Sequence, residues 1–206
     1  MAACDIALEL LETILHSVLY LRKLYPEAIF RKRQKYRIPV HMSVHKGVNE
    51  YVSASLRALR PYLERRLLES VSVVVTDPAG RHSETLAVEL RVLDAAAICA
   101  RDDPCLARLE ASLSGLLLGL SATLGDCHPP PAGSTFQLQA AASRCLPESL
   151  DAAAEFPLTI TDSAAPHGPT AAAEDGPGTE GCSVLPVRSV RNELFALEVT
   201  LRRPTG

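Results

Sequence analysis

The side chains of this sequence that could carry out chemistry are six cysteines, six histidines and one pair of adjacent aspartates. No two cysteines have the spacing of a zinc knuckle. His41 and His45 are four residues apart, but the proline-bounded extended segment around them argues against a helical histidine pair that holds a metal. Asp102 and Asp103 fit the start of a helix better than an acid and base pair. We therefore expect no metal, no cofactor and no catalytic residue.

The sequence signatures of common enzyme classes are also missing. The chain has no glycine-rich nucleotide loop, no G-x-S-x-G nucleophile turn, no HExxH zinc motif and no EF-hand loop. An enzyme is therefore the least favoured class of protein. We expect the chain to act by binding other molecules.

A cluster of positive charge is the most prominent binding feature of the sequence. Between positions 31 and 37, five of seven residues are basic, and we call them the basic rim: Arg31, Lys32, Arg33, Lys35 and Arg37. The whole chain has a net charge of −3 and a pI of about 6.1, which opposes binding to nucleic acid. Three uses of the rim stay open: a solvated border that attracts acidic or polar partners, nuclear import, or contact with DNA phosphates. Sequence-specific DNA binding is not expected.

Length and composition set the broad class of protein. A chain of 206 residues is long enough for one domain with a sizeable core. Asp5, Glu9 and Glu12 interrupt the apolar N-terminus, so it does not resemble a secretory signal, and we expect free thiols in a reducing compartment. The longest apolar run, residues 113–124, is shorter than the roughly 20 residues that cross a bilayer. We expect a soluble domain without membrane contact.

The spacing of apolar residues predicts three helices. Their predicted ranges are 3–24, 46–68 and 104–124. Pro61 is expected to kink the second helix or to end it early. The third helix is predicted to follow the N-cap Asp103 and to close at Gly125 in a left-handed conformation. Its apolar composition predicts that it is the central helix.

Extended segments are predicted between these helices. Residues 29–44 mix basic and apolar side chains around Pro39, which suits a short, irregular edge strand. Residues 70–92 predict a hairpin, in which Pro78 takes the first central position of the turn and Gly80 adopts a positive φ.

The C-terminal third alternates between strand patterns and a segment without large apolar residues. Alternation of apolar and polar residues predicts strands at 134–140 and 193–203. The Ala-, Gly- and Pro-rich residues 161–183 predict a flexible loop between them.

Several stretches of the sequence are similar to one known domain family. "LYLRKLYPEAIFRKRQKYRIPVHMSVH", "NEYVSASLRALRPYLE" and "SVSVVVTD" closely resemble the HORMA-domain family, with shorter matches at "PPAGSTFQL", "EFPLTI" and "SVLPVRSV". The most similar branch contains the accessory subunits of translesion DNA polymerase zeta. The resemblance implies an α+β fold in which three helices pack on a mostly antiparallel sheet. It divides the domain into a core, residues 1–155, and a mobile C-terminal safety belt, residues 156–206.

The resemblance also implies a peptide-binding site at an edge of the sheet. In the family, a short proline-containing segment of a partner adds to the sheet as an extra strand, and the belt encloses it. The positions that match the family's binding residues are Tyr25, Pro26, Tyr51, Phe156 and Leu158. Leu158 departs from the pattern, because close relatives have a tryptophan there, and a large anchor is lost. Tyr51 has the alternative interpretation of a half-buried helix residue.

Two further family surfaces have matching positions. The last hairpin of the family binds the polymerase scaffold Rev-one, and the matching residues are Val184, Glu198 and Thr200. Only Val184 keeps its apolar character, so scaffold binding is expected to be less secure than peptide capture. On the third helix, Ser114 replaces an arginine that the family uses for pairing, so any HORMA homodimer is expected to be weak.

The function that the resemblance implies is that of a nuclear, partly cytoplasmic adaptor without catalytic activity. It would serve translesion DNA synthesis and the control of double-strand break repair. The implied partners are the catalytic subunit of DNA polymerase zeta, Rev-one, shieldin-type repair proteins and a remodelling AAA+ ATPase. A spindle-checkpoint protein or a regulator of the anaphase-promoting complex is the alternative within the fold. A single-strand nucleic-acid binder that uses the basic rim is the alternative from another class.

Overall fold

The computed structural model describes residues 2–93, 103–143, 158–161, 182–192 and 194–205. Its helices are α1 Ala2–Leu21, α2 Lys46–Glu64 and α3 Asp103–Asp126, with a short 3-10 helix at Glu27–Ile29. Its strands are β1 Phe30–Lys35, β2 Ile38–Ser43, β3 Leu68–Thr76, β4 His82–Val92, β5 Thr135–Ser143, β6 Leu158–Thr161, β7 Cys182–Arg191 and β8 Phe195–Pro204. Within the described ranges, no helix is long and apolar enough to cross a membrane.

A six-stranded sheet forms the centre of the fold. Its strand order is β6-β5-β3-β4-β8-β7, and every pairing is antiparallel except that of β5 with β6. Alternate side chains of the inner strands are buried against the apolar faces of the helices in one continuous core. The predicted α+β class, with three helices on a mostly antiparallel sheet, is confirmed.

The hairpin of β3 and β4 has the predicted turn. Gly80 has a φ of 79°, and its N–H donates to the carbonyl of Asp77 at 3.0 Å. The carboxylate of Asp77 also accepts hydrogen bonds of 2.9 Å from the N–H groups of Ala79 and Arg81. The turn is therefore fixed by its own residues, which explains why it could be predicted locally.

The central helix is α1 and not α3. Buried side chains line α1 along almost its whole length, and it contacts both α2 and α3. Leu118 of α3, by contrast, is 55% exposed. The prediction of α3 as the central helix is wrong because its apolar surface extends beyond the stripe that its neighbours cover.

The ends of two helices differ from their predicted positions. α2 ends at Glu64, soon after Pro61, and Leu68 already begins β3. α3 continues through Gly125, and the first glycine after this helix with a positive φ is Gly133, at 84°. The buried side chain of Arg22, directly after α1, donates to the carbonyl oxygens of Leu124 and Cys127 at the end of α3. This helix therefore does not need a glycine cap.

Residues 29–44 form a hairpin of their own, so the prediction of one irregular edge strand is wrong. Among the described strands, β1 and β2 pair only with each other. Their turn residues, Tyr36 and Arg37, have φ values of 48° and 62°. Two consecutive positive φ values are typical of the type I′ turn. The backbone twist of this turn matches that of two strands joined by a two-residue loop. The basic rim therefore lies on a separate ribbon and not along an edge of the six-stranded sheet.

The hairpin of β7 and β8, which we call the C-terminal hairpin, is part of the core. β8 pairs with β4 over eight residues, and β7 pairs with β8 at the edge of the sheet. The side chains of β8 that face the core are almost fully buried: Phe195, Leu197, Val199 and Leu201. Most of the predicted flexible loop, residues 162–181, lies outside the described residues. Its ends fall in β6 and β7.

Candidate functional site

The outer edge of β5 is only partly paired. β3 lies along one side of β5, and on the other side β6 pairs with Ala140–Ser143 alone. No described strand pairs with the outer side of residues 135–139. Unpaired N–H and C=O groups at a strand edge form the kind of surface to which an extended peptide adds. We call this part of β5 the open edge.

The backbone amide of Leu138 shows which groups face the open edge. Its N–H donates to the hydroxyl oxygen of Tyr51 at 3.0 Å and therefore points away from β3. Alternate residues of an antiparallel strand direct their backbone groups to the same side, so those of Phe136 face outward as well. The open edge thus presents the backbone groups of Phe136 and the carbonyl of Leu138, while the amide of Leu138 is occupied by Tyr51.

Three aromatic rings meet beside the open edge, and we call Tyr25, Tyr51 and Phe136 the aromatic cluster. The ring of Phe136 lies 6.0 Å from that of Tyr25 and 5.6 Å from that of Tyr51, in both cases edge to face. Tyr51 is 38% exposed, while the other two rings are half-buried. Pro26, next to Tyr25, is exposed. An aromatic surface beside an open strand edge suits a proline-containing extended chain.

Local structure brings the aromatic cluster together. α2 begins after His45, whose Nδ1 accepts a hydrogen bond from the N–H of Val48 at 3.4 Å. The buried face of α2 then sets Tyr51 at the border of the core. At the end of α1, Lys23 has a φ of 52°, and this turn carries Tyr25 to the ring of Phe136.

The structure gathers the described positions that were predicted to bind a peptide around β5: Tyr25, Pro26, Tyr51 and Leu158. Leu158 is the first residue of β6, and its backbone pairs with Ala140 just beyond the open edge. Phe156 lies outside the described residues. Peptide binding by each of these residues stays a prediction.

Phe136 is the site residue that sequence reasoning did not assign. The alternation of residues 134–140 predicted its strand but could not show that its ring touches Tyr25 and Tyr51. The available signal was composition, because aromatic residues make up only 4% of the chain and one of them stands on a strand near the family match "PPAGSTFQL". The bond between Tyr51 and Leu138 had no sequence signal.

The part of the chain from β6 to the C-terminus, which we call the tail, is attached at both edges of the sheet. β6 pairs with β5 at one edge, and the C-terminal hairpin pairs with β4 toward the other. The chain must therefore pass from one edge to the other between Thr161 and Cys182.

The three positions predicted to bind a scaffold lie on one face of the C-terminal hairpin. Val184 pairs with Arg202, and Glu198 and Thr200 alternate with Phe195, Leu197 and Val199, so all three lie on the opposite face of the sheet, where Thr200 is nevertheless buried at 8% exposure. Val184 is 52% exposed and Glu198 is exposed. The hydroxyl of Thr200 is buried and has no hydrogen-bond partner among the described residues.

The basic rim is partly neutralised by acidic side chains. Lys35 forms an ion pair with Glu9, and Arg37 with Glu110 at 2.8 Å. The remaining members of the rim, Arg31, Lys32 and Arg33, are exposed along β1.

Ser114 has a structural role within the chain. It is half-buried, and its hydroxyl lies within hydrogen-bonding distance of the carbonyl oxygens of Tyr36 and Glu110. It therefore links α3 to the turn of the β1–β2 hairpin. A dimer contact through Ser114 stays a prediction.

This fold, with its open strand edge and tail attached at both sides, is that of the HORMA-domain family, and the chain belongs to that family. A HORMA domain model matches residues 5–90. The chain is 33% identical to "Mitotic spindle assembly checkpoint protein MAD2B" of Homo sapiens over 162 residues, which are 77% of this chain and 75% of that protein. It is 26% identical to "DNA polymerase zeta subunit 2" of Drosophila melanogaster over 130 residues, which are 63% of this chain and 64% of that protein.

Solved structures with low sequence identity have the same fold. A chain of the mitotic checkpoint complex superimposes with a TM-score of 0.73 at 15% identity, covering 98% of this chain and 99% of that one. HTP-2 of C. elegans, solved bound to the HIM-3 closure motif, superimposes with a TM-score of 0.68 at 13% identity and covers 98% and 90%.

Proposed function

We propose that this chain is a nuclear, non-catalytic adaptor that captures a short proline-containing segment of the catalytic subunit of DNA polymerase zeta. The observation that carries the proposal is the open edge of β5, with the aromatic cluster beside it and the tail attached on both sides. The names of the relatives, which include a subunit of that polymerase, support the choice of partner.

Capture would proceed by strand addition at the open edge. The backbone groups of Phe136 and the carbonyl of Leu138 would bond to the peptide, and the aromatic cluster would contact its prolines. Tyr51 has a particular part in this step, because its oxygen accepts from the Leu138 amide and its hydroxyl would donate its own hydrogen to a peptide carbonyl. The same tyrosine would thus extend the hydrogen-bonding edge of the sheet.

The tail would then hold the peptide in place. The 20 residues between Thr161 and Cys182 can extend about 66 Å, while the five strand spacings of the sheet add up to about 24 Å. The segment is therefore long enough to pass over a bound strand. Enclosure slows dissociation more than it changes association, so a long-lived complex is expected.

Cutting the connecting segment tests this proposal more cleanly than removing the tail, because the C-terminal hairpin supplies part of the core. A specific protease site is inserted into residues 162–181, the peptide complex is formed, and the peptide off-rate is measured before and after cleavage. We expect cleavage to raise the off-rate at least tenfold, since β6 and the C-terminal hairpin stay folded but no longer close a ring around the ligand.

The matched control carries the same protease site in the turn at residues 77–80, which does not link the two edges of the sheet. Cleavage there is expected to leave the off-rate unchanged. A cut in residues 162–181 that also leaves it unchanged would show that the ligand is not enclosed.

A second partner surface is part of the proposal. The outward face of the C-terminal hairpin, with Val184, Glu198 and Thr200, would receive the Rev-one scaffold while the peptide occupies the other edge. The two surfaces lie at opposite ends of the strand order, so both partners can bind at once. This is the arrangement that a bridging adaptor needs, and shieldin-type proteins would use the same peptide site.

A spindle-checkpoint function is the second candidate, and it is favoured by the name that several relatives carry. The two functions differ in the captured peptide and not in the site. Competition at the open edge between peptides of the polymerase subunit and of checkpoint proteins separates them, and the tighter ligand identifies the function.

A further inference from the structure

A buried ion cluster joins α1, β4 and the end of α3. Arg22, directly after α1, is 1% exposed, and its guanidinium binds Glu84 of β4 through Nε at 2.7 Å and Nη2 at 2.9 Å. Its remaining hydrogens point to the carbonyl oxygens of Leu124, Cys127 and His128. All five N–H groups of Arg22 thus have an acceptor. The ion pair of Arg22 and Glu84 carries no net charge, and every hydrogen-bond donor of Arg22 is satisfied without Arg203.

A second arginine reaches this cluster from the tail. Arg203, near the end of β8, donates from Nε to Oε2 of Glu84 at 3.2 Å and from Nη2 to the carbonyl of His128 at 3.3 Å. It follows Val199 and Leu201 on the face of β8 that is directed to the core. The row of apolar side chains on this face of β8 therefore ends in the guanidinium of Arg203. This group binds the carboxylate of Glu84, a residue that is 3% exposed.

This contact differs from the other attachments of the C-terminal hairpin. Asn192 bonds to Ser112 of α3 at 3.4 Å, and the side chain of Arg188 lies against Gly119 of α3. The neighbouring cation, Arg202, faces the other side of the sheet and forms a long, exposed pair with Glu89 at 3.5 Å. Among the described residues of this hairpin, Arg203 is the cation that binds a buried carboxylate.

We propose that Arg203 is a charge latch that holds the end of the C-terminal hairpin, where Cys182 pairs with Pro204, against β4 and sets how often this end opens. Release of Arg203 leaves Glu84 neutralised by Arg22, and the freed guanidinium is solvated by water. The latch can therefore open without leaving an unpaired charge inside the core. A further consequence rests on the proposed function: because the tail encloses the peptide, Arg203 also controls how long the peptide stays bound.

Hydrogen exchange on the full chain without peptide tests the latch itself. In Arg203→Gln, the amides at this end of β7 and β8 are expected to exchange about tenfold faster than in the wild type, through an opening that leaves the core folded and therefore depends little on denaturant. Arg202→Gln removes the same charge from the adjacent position on the opposite face and is expected to change nothing. Unchanged exchange in Arg203→Gln, or exchange of these amides only by global unfolding, would overturn the proposal.

Salt and a conservative variant separate a latch from simple packing. The side chain of Arg203 is 36% exposed, so its attraction to Glu84 is partly screened by ions. Raising the salt concentration is expected to speed exchange in β8 of the wild type but not of Arg203→Gln. Arg203→Lys is expected to restore most of the protection. A salt response that is equal in wild type and Arg203→Gln would count against the latch.

The rate of peptide release tests whether Arg203 controls how long the peptide stays bound. With a proline-containing peptide bound, Arg203→Gln is expected to raise the off-rate several-fold and Arg202→Gln is not. Faster exchange in β8 with an unchanged off-rate would refute control of the peptide and leave the latch in place. Failure of the proposed function is recognised separately, because the wild-type chain would then bind no peptide at all.

Discussion

At the scale of single residues, Tyr51 connects the fold to the proposed binding site. Its ring contacts Phe136, and its hydroxyl accepts a hydrogen bond from the edge amide of Leu138. The resemblance assigned this position to a peptide pocket, whereas a packing role was the alternative. The ring packs while the hydroxyl faces the strand edge, so a packing role and the predicted peptide role do not exclude each other.

Tyr51→Ala is expected to weaken peptide capture by at least about 1 kcal/mol, because both the ring and the hydroxyl are lost from the centre of the site. Tyr51→Phe keeps the ring and is expected to lose less. Affinities measured by calorimetry with one proline-containing peptide check both values. Equal affinity for wild type and Tyr51→Ala would assign Tyr51 to packing alone.

His16 makes the stability of the protein depend on pH. It is 2% exposed, and burial lowers the pKa of its imidazole from its ordinary value of 6.5 to about 4. The unfolded chain therefore binds a proton below about pH 6.5, whereas the folded chain does so only below about pH 4. The free energy of unfolding should decrease as the pH falls through this interval, by on the order of 3 kcal/mol.

His16→Asn keeps a hydrogen-bond acceptor for the N–H of Ser43 and removes the titrating ring. Denaturant unfolding between pH 4 and 7 is expected to show a flatter pH dependence for this variant. His82→Asn changes an exposed histidine and should retain the wild-type slope. Parallel slopes for all three proteins would mean that His16 does not cause the pH dependence.

At the scale of elements, helix α3 and the C-terminal hairpin depend on each other at one glycine. A methyl group on Gly119 would lie 3.0 Å from Cδ of Arg188 on β7, whereas one on Gly115 would meet nothing within 4 Å. Both glycines are inside the same helix. They therefore form a matched pair for testing how closely α3 packs against the hairpin.

Gly115→Ala is expected to raise the free energy of unfolding by roughly 0.5 to 1 kcal/mol, because alanine has the higher helix propensity. Gly119→Ala should gain less, since the side chain of Arg188 must move. Urea unfolding of the two variants measures the difference. Identical gains would show that the contact between Gly119 and Arg188 is loose.

At the scale of the whole molecule, the tail has two roles that a truncation cannot separate. It passes from one edge of the sheet to the other, and it also contributes Phe195, Leu197, Val199 and Leu201 to the core. Burial of one such side chain contributes about 1.5 to 3 kcal/mol, so the four together are comparable with the 5 to 15 kcal/mol that stabilise a typical domain. The far end of the tail therefore belongs to the folded core.

Deletion of residues 182–206 is therefore expected to abolish cooperative thermal unfolding, whereas a cut within residues 162–181 should lower the melting temperature little. Circular dichroism of both proteins measures this difference. A truncated chain that still unfolds cooperatively near the wild-type temperature would show that β8 is dispensable to the core.

The sequence by itself determined the helices, the β3–β4 hairpin and the family. These features depend on short-range chemistry: apolar spacing in α1 and α2, and Pro78 and Gly80 in a turn that bonds to itself. The resemblance added the general position of the peptide site. Both kinds of information are carried by residues that are close together in the chain.

Only the tertiary structure decided which residues meet across the fold. Tyr51 and Leu138 are 87 positions apart, and Arg203 and Glu84 are 119 apart, so no local pattern could pair them. The same reason explains why α3 was wrongly predicted to be the central helix and why residues 29–44 were wrongly predicted to form one edge strand. Burial and pairing depend on what the rest of the chain places opposite a residue, and that information is absent from any single segment.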